Sequence, residues 1–411
     1  MKQIQYILIA FLCVPLFAQQ TYVPDNNFEA YLEANGMGNG IANDDSVTTA
    51  NINTVNYLYI GNQGISDLTG IQDFSALYWL YCNNNNLLAI DLSANSYLYS
   101  LDCSYNQLST LSLTGNDSLE QLNCGNNQIS NLDVSANIIL RDLWAPANSL
   151  SNINLNNNIA LINLGLGNNQ LDTLNLDNNP SLEHLNIVNN QVSTLNLIFN
   201  VSLTDIWISN NNIAVLDVHN SPNLTIIWGD NNQIVTLDLS NNANLVQLYV
   251  PWNQLAFLDV ANGNNTIMTV FHSTSNLDLN CIDVDDETWS NANWTAIDSW
   301  TSFSEDCSAL PVSDEPILVT EYKLHDAYPN PFNPITTLRY DLPEDGLVNI
   351  TIYDMLGREV RTLVNTTQDA GFKSVIWNAT NDYGKPVSAG VYLYQIRAGE
   401  FVQTRKMVLL K

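Results

Sequence analysis

The sequence predicts a solenoid of stacked parallel strands with little helix, followed by a small C-terminal β-sandwich. Three observations predict it. A block of 21 residues recurs nine times without a gap, beginning at Leu77, Leu98, Leu119, Leu140, Leu161, Leu182, Leu203, Leu224 and Leu245, each reading roughly LxxLxxxxNxLxxLxLxxNxx. A fixed period in the twenties marks units that bury their apolar faces only against neighbours. Near residue 312 this pattern gives way to short alternating strands separated by turn residues. Charge changes at the same place: residues 19–311 hold 29 acidic residues and one basic residue, Arg141, whereas 312–411 hold 12 and 10.

Residues 1–18 read as a signal peptide. Met1-Lys2 precedes an apolar run from Ile7 to Phe17 and a small residue, Ala18. The run is too short for a membrane span, and no other segment is long enough, so no membrane span is expected. Residues 19–54 form an N-terminal cap. Asp25-Asn26-Asn27 before Phe28, Tyr31 and Leu32 suits a short helix over the first coil.

The solenoid occupies 55–266. Counting from the first Leu of a block as offset 0, offset 3 is Leu or Ile throughout and offset 5 is small or apolar. That alternation is a short strand with one buried face. Successive strands stack at about 4.8 Å, so nine give a sheet roughly 40 Å wide. Offset 8 is Asn in all nine blocks, from Asn85 to Asn253. An inward amide carries both donors and an acceptor and serves backbone groups at the turn, in its own coil and in the next. Offsets 10, 13 and 15 are apolar and close the convex side through extended or short 3₁₀ segments. Cys82, Cys103 and Cys124 share offset 5 and read as small buried hydrophobes.

The register decays after Ile267. Residues 267–310 hold Trp289, Trp294 and Trp300 between Cys281 and Cys307 and read as a C-terminal cap, because a solenoid must hide its last apolar face. An exported chain permits a Cys281–Cys307 disulfide. Pro311, Pro316 and Ser313-Asp314-Glu315 mark a linker over 311–325. Residues 326–411 carry YPNPFNP and the strands TTLRYDL, VNITIYD, KSVIWNA, GVYLYQI and QTRKMVLLK, a β-sandwich of immunoglobulin-like type.

The repeat resembles the leucine-rich repeat, LxxLxLxxNxL, over about residues 55–265. Its LYCNNN, LDCSYN and LNCGNN segments resemble repeats of secreted Bacteroidetes-type surface proteins. The preceding unit, Val55 to Ala76, is similar to an internalin-type coil, with Gln63 in place of the Asn. YPNPFNP, ITIYDMLGREV, GVYLYQI and the terminal KMVLLK resemble the C-terminal sorting domain of type IX secretion substrates, similar in fold to the Ig-like module of flagellar-hook capping proteins. That resemblance implies a type IX secretion machinery as partner. It also implies export across both membranes, to release or attachment at the cell surface.

The net charge of −29 repels phosphate backbones, so nucleic acid is not expected as a partner. His184, His219, His272 and His325 show no metal-ligand spacing, and neither GxSxG nor a P-loop is present. His184 and Asp205 share offset 2 in adjacent blocks and read as a surface pair. Ser209 lies roughly 13 Å away, too far for a triad. Asp142 and Asp205 are about 14 Å apart by strand spacing, beyond the reach of a glycosidase pair. No enzyme and no cofactor are expected. The run Asp283, Asp285, Asp286, Glu287 is the only weak metal candidate. It lacks the glycine and spacing of an EF-hand loop, so a solvated cap loop is the expected state.

The exposed strand positions are more informative. Offset 4 places Trp144, Trp207, Trp228 and Tyr249 outward; His184 and Asp205 stand at offset 2 and Trp252 at offset 7. Trp207, Trp228 and Tyr249 fall on consecutive blocks and predict an aromatic ladder on the concave face. A row of exposed aromatics flanked by Asn and Asp suits a polysaccharide or protein partner; its other role is cross-strand packing. A binding protein is the expectation, with a structural or adhesive surface component as the alternative.

Overall fold

The computed structural model describes residues 18–307, 321–327, 330–332, 334 and 336–410. The segment read as a signal peptide therefore lies outside the described residues up to position 17, as do most of the linker and part of YPNPFNP. Two compact units are present, divided between Ala309 and Leu310.

In the first unit the strand offsets form an eleven-stranded parallel sheet running in chain order from Tyr57–Tyr59 to Val270–His272. Each strand is three residues long and pairs in register with the next, as Trp79–Tyr81 does with Ser100–Asp102. The middle residue of each faces the core: Leu80, Leu101, Leu122, Leu143, Leu164 and Leu185 are all buried. The sheet runs one coil past Ile267, where the sequence register was read as decaying. Asn276 follows Asn253 after 23 residues instead of 21, so the coil is longer but keeps the same internal partners.

Those partners are the asparagine ladder. Asn127 Nδ2 donates to the carbonyls of Cys124 in its own coil (3.0 Å) and Cys103 in the preceding coil (3.1 Å). Its Oδ1 accepts from the Leu108 amide at 2.9 Å, again in the preceding coil. Asn276 repeats this with Ser273, Val250 and Leu255. The expected direction is thus reversed: each Asn reaches back to the coil before it, because the strand carbonyls of that coil lie over the turn. A second ladder stands at offset 18. Asn116 Nδ2 donates to the Leu92 and Asn95 carbonyls, each at 3.0 Å. Asn95, Asn116, Asn137, Asn158, Asn179, Asn200 and Asn242 are fully buried, and their Oδ1 atoms have no partner among the described residues.

The convex side is not only extended loop. Thr236–Asp238, Phe257–Asp259, Cys281–Asp283 and Ser302–Ser304 make a four-stranded parallel sheet at the C-terminal end. Cys82, Cys103 and Cys124 are free and buried; burial pushes the Cys124 thiol up to about 12.

Both ends of the stack are covered. The helix Asn26–Ala34 is capped by Asp25, which accepts from the Asn27 and Phe28 amides and, through its other oxygen, from Ser66 and Asp67. Phe28 and Leu32 are buried, and Phe28 stacks on Phe74 at 6.2 Å. At the far end Phe271 stacks on Trp294 at 4.3 Å, and a disulfide joins Cys281 to Cys307. The acidic run serves backbone here. Asp283 accepts from the Cys307 amide, Asp285 from Gly263 and Asn265, and Asp286 caps the helix Glu287–Asn293.

In the second unit Lys323–Leu324, Thr336–Leu342 and Gly371–Trp377 form one sheet, and Glu359–Gln368, Gly346–Asp354, Gly390–Ala398 and Phe401–Leu409 form another. These strands pair antiparallel, and an isolated parallel bridge joins Phe332 to Leu409. Glu359–Gln368 was not among the five strands read from sequence. Only Val364 in it is buried, so its alternation is too weak to show.

Candidate functional site

The outward residues of the first unit's long sheet line its concave face. Trp207 pairs with Trp228, and Trp228 with Tyr249, at successive strand positions. The Trp228 and Tyr249 rings are 5.9 Å apart, and Trp228 Nε1 donates to Gln247 Oε1 at 3.2 Å. Trp228 remains 41% exposed, whereas Trp207 and Tyr249 are half-buried. The row continues to His272, whose ring meets Tyr249 edge-on at 4.8 Å and whose Nε2 lies 2.7 Å from Thr274 Oγ1. Burial holds the His272 imidazole below its usual range, although Asp230 and Asp298 pull the other way. His272 was not read into the ladder because the two extra residues before it break the 21-residue count.

His184 and Asp205 stand beside the row. His184 Nδ1 lies 2.6 Å from Asp205 Oδ2, much closer than the strand spacing alone implies. Asp205 is nearly buried and also accepts from the Thr204 and Thr225 hydroxyls, each at 2.9 Å. The pair is therefore a fixed polar rim. The Ser209 hydroxyl donates to Asp230 and not to a histidine; the hydroxyl that stands 3.3 Å from His184 Nδ1 is that of Thr204, which is also held by Asp205.

Trp252 lies three residues beyond Tyr249 at a turn with φ 53°. The same turn position holds Asn62, Asn84, Asn126, Asn168, Asn189, Asn210 and Asn231, and in two coils Tyr105 and Ala147, all with positive φ. Asn tolerates this left-handed conformation better than bulky side chains do. A Trp there, like Tyr105 and Ala147 at the same position, carries backbone strain that an Asn would relieve.

Trp144 is separate. It stands three coils before Trp207, about 14 Å away by strand spacing, and borders a different hollow. Among the described residues no group of three or more His, Cys, Asp or Glu side chains could hold a metal ion.

Comparison with known proteins agrees with this architecture. Residues 335–400 match the family model of the FlgD Ig-like domain. The functional domain of InlJ from Listeria monocytogenes, described as including a cysteine ladder, superposes with a TM-score of 0.53 at 20% identity, over 96% of this chain and 99% of that one. An internalin, InlF, from the same organism gives 0.54 at 20% identity, over 69% of this chain and 91% of that one. No curated protein sequence matches the chain. The fold is thus an internalin-like leucine-rich-repeat solenoid with a C-terminal Ig-like domain.

Proposed function

We propose that this is an exported, non-enzymatic binding protein whose concave face holds a polysaccharide or protein partner. The observation that carries the reading is the in-register row Trp207, Trp228, Tyr249 and His272, partly exposed and flanked by the fixed His184–Asp205 rim. Large exposed aromatics beside ordered amides and carboxylates offer flat apolar contact and directional hydrogen bonds together. Ring packing between neighbours preorganises the surface, so little side-chain entropy is lost on binding. The fold shared with internalins accords with a binding role but names no ligand.

Delivery follows from the C-terminal domain in this reading. Its YPNPFNP and KMVLLK segments and Ig-like fold support a sorting role for type IX secretion, with residues 1–18 directing the first export step. The test of function is binding of the full chain to panels of polysaccharides and of surface proteins, read by tryptophan fluorescence. A saturable change that is lost in the double variant Trp207→Ala, Trp228→Ala supports the reading. Binding unchanged in that variant refutes it. Self-association that persists in the variant and replaces ligand binding would favour the adhesive alternative.

A further inference from the structure

A second hollow lies on the concave face, toward the N-terminal end of the stack, and shares no residue with the aromatic row. It has a volume of about 580 Å³. Tyr59 and Tyr81, with ring centroids 5.2 Å apart, form one wall, and Trp144 borders the other side. Asp102, Gln121 and Asp142 lie between them. The Trp144 ring is placed by Gly165 in the next coil, where a Cβ would come within 2.2 Å of Trp144 Cε3.

The carboxylates of this hollow are acceptors already held in position. Asp102 Oδ1 takes the Ser104 amide at 3.0 Å and the Ser104 hydroxyl at 2.6 Å. Asp142 takes the side-chain amides of Gln121 and Asn163. No basic residue lines the hollow, and Arg141 is the only one between residues 19 and 311. A cation between these walls meets the negative faces of the rings and the carboxylates together. An anion meets neither, and a neutral ligand gains nothing from the charge. Asp102 and Asp142 belong to coils two apart and stand two residues apart along the strand, because Asp142 is level with Ser100, which puts them about 12 Å apart. One ammonium or guanidinium group does not span that distance. Two basic side chains three residues apart on a polyproline-II segment leave the backbone about 9 Å apart, and their length covers the rest.

The geometry points to a site for a basic peptide segment, with paired Arg or Lys side chains on Asp102 and Asp142 and against Tyr81 and Trp144. This site is independent of the ladder and of the ligand proposed for it. The test uses the full chain and an acetylated, amidated peptide, Pro-Arg-Pro-Pro-Arg-Pro, with a citrulline version as the neutral control. Calorimetric titration at low salt should give saturable binding of the Arg peptide and none of the citrulline peptide. Asp102→Asn and Trp144→Ala should each weaken it about tenfold, and added salt should weaken it further. Trp228→Ala should leave it unchanged. Gly165→Ala, which alters no charge, should also weaken it by displacing the wall. Circular dichroism melts establish that each variant is folded, and Asp102→Asn carries the charge test because Asp142 also ties Asn163. Equal binding of both peptides, no binding of either, or indifference to Asp102→Asn overturns the proposal. So does a neutral oligosaccharide that binds here and is lost in Trp144→Ala while the Arg peptide is not bound.

Discussion

The Trp144 indole lies where a side chain at position 165 would stand: a Cβ on Gly165 would fall 2.2 Å from Trp144 Cε3 and 2.6 Å from Cζ3. Gly165 is the only glycine at the outward offset-4 position of the nine repeats. Gly165→Ala is expected to rotate Trp144 off the sheet, costing about 1–3 kcal/mol from the clash. A shift in tryptophan emission and a lower urea midpoint would show this. An unchanged spectrum with unchanged stability would mean the ring is not held there.

Loss of one internal asparagine should be costly. Asn190 Nδ2 donates to the Leu166 and Ile187 carbonyls, each at 3.0 Å, and its Oδ1 accepts from the Leu171 amide at 3.0 Å. Asn190→Leu leaves the buried Leu171 amide unpaired and takes one of two donors from each carbonyl, since Asn169 Nδ2 still reaches Leu166 O and Asn211 Nδ2 still reaches Ile187 O. The expected loss is about 2 kcal/mol, read from denaturant unfolding. A loss below about 1 kcal/mol would show that water replaces the amide.

Trp252→Asn should act in opposite senses on stability and binding. At φ 53° the exchange relieves left-handed strain, so a gain of about 1 kcal/mol is expected. Ligand affinity at the adjacent row should fall. A lower melting temperature would instead show that indole packing outweighs the strain.

Asp259 gives a pH signature. Burial raises its pKa first, and the charges of Asp238, Asp283 and Asp285 add to this, against one bond from the Ala261 amide. A raised folded-state pKa means the carboxyl's favourable contribution is fully present below its unfolded value near 3.8 and is lost as pH rises through the folded value. At pH 7 the charge is therefore destabilising, and Asp259→Asn should stabilise by about 0.5 kcal/mol or less, since solvent screens the site. The advantage should shrink below pH 4. Melts of both proteins across that range check the sign, and an advantage that grows on acidification would contradict it.

The buried thiols should be inert in the folded protein. Cys82, Cys103 and Cys124 are enclosed in the core, where burial disfavours the reactive thiolate. A thiol reagent is expected to modify none of them in native buffer and all three in denaturant. Rapid native labelling would show that these coils open locally.

The solenoid was legible because its causes are periodic. Leu at offset 0, Leu or Ile at offset 3 and Asn at offset 8 repeat in every block, and each has one local job. What was not legible depends on single side chains. The Trp144 ring that borders the hollow lies where it does because Gly165 lacks a Cβ, and the hollow's walls come from coils three or four apart. His272 was missed because two extra residues precede Asn276, which then restores the same hydrogen bonds. The backward reach of the Asn ladder follows from where strand carbonyls point, which a pattern of letters does not encode.

The most direct test of the concave-face account is oxidative footprinting of the full chain, with and without a saturating ligand from the binding panel. Protection of Trp207, Trp228 and Tyr249, with Trp289 on the C-terminal cap unprotected, is the predicted result. Saturable binding that leaves those three side chains as reactive as before would contradict it.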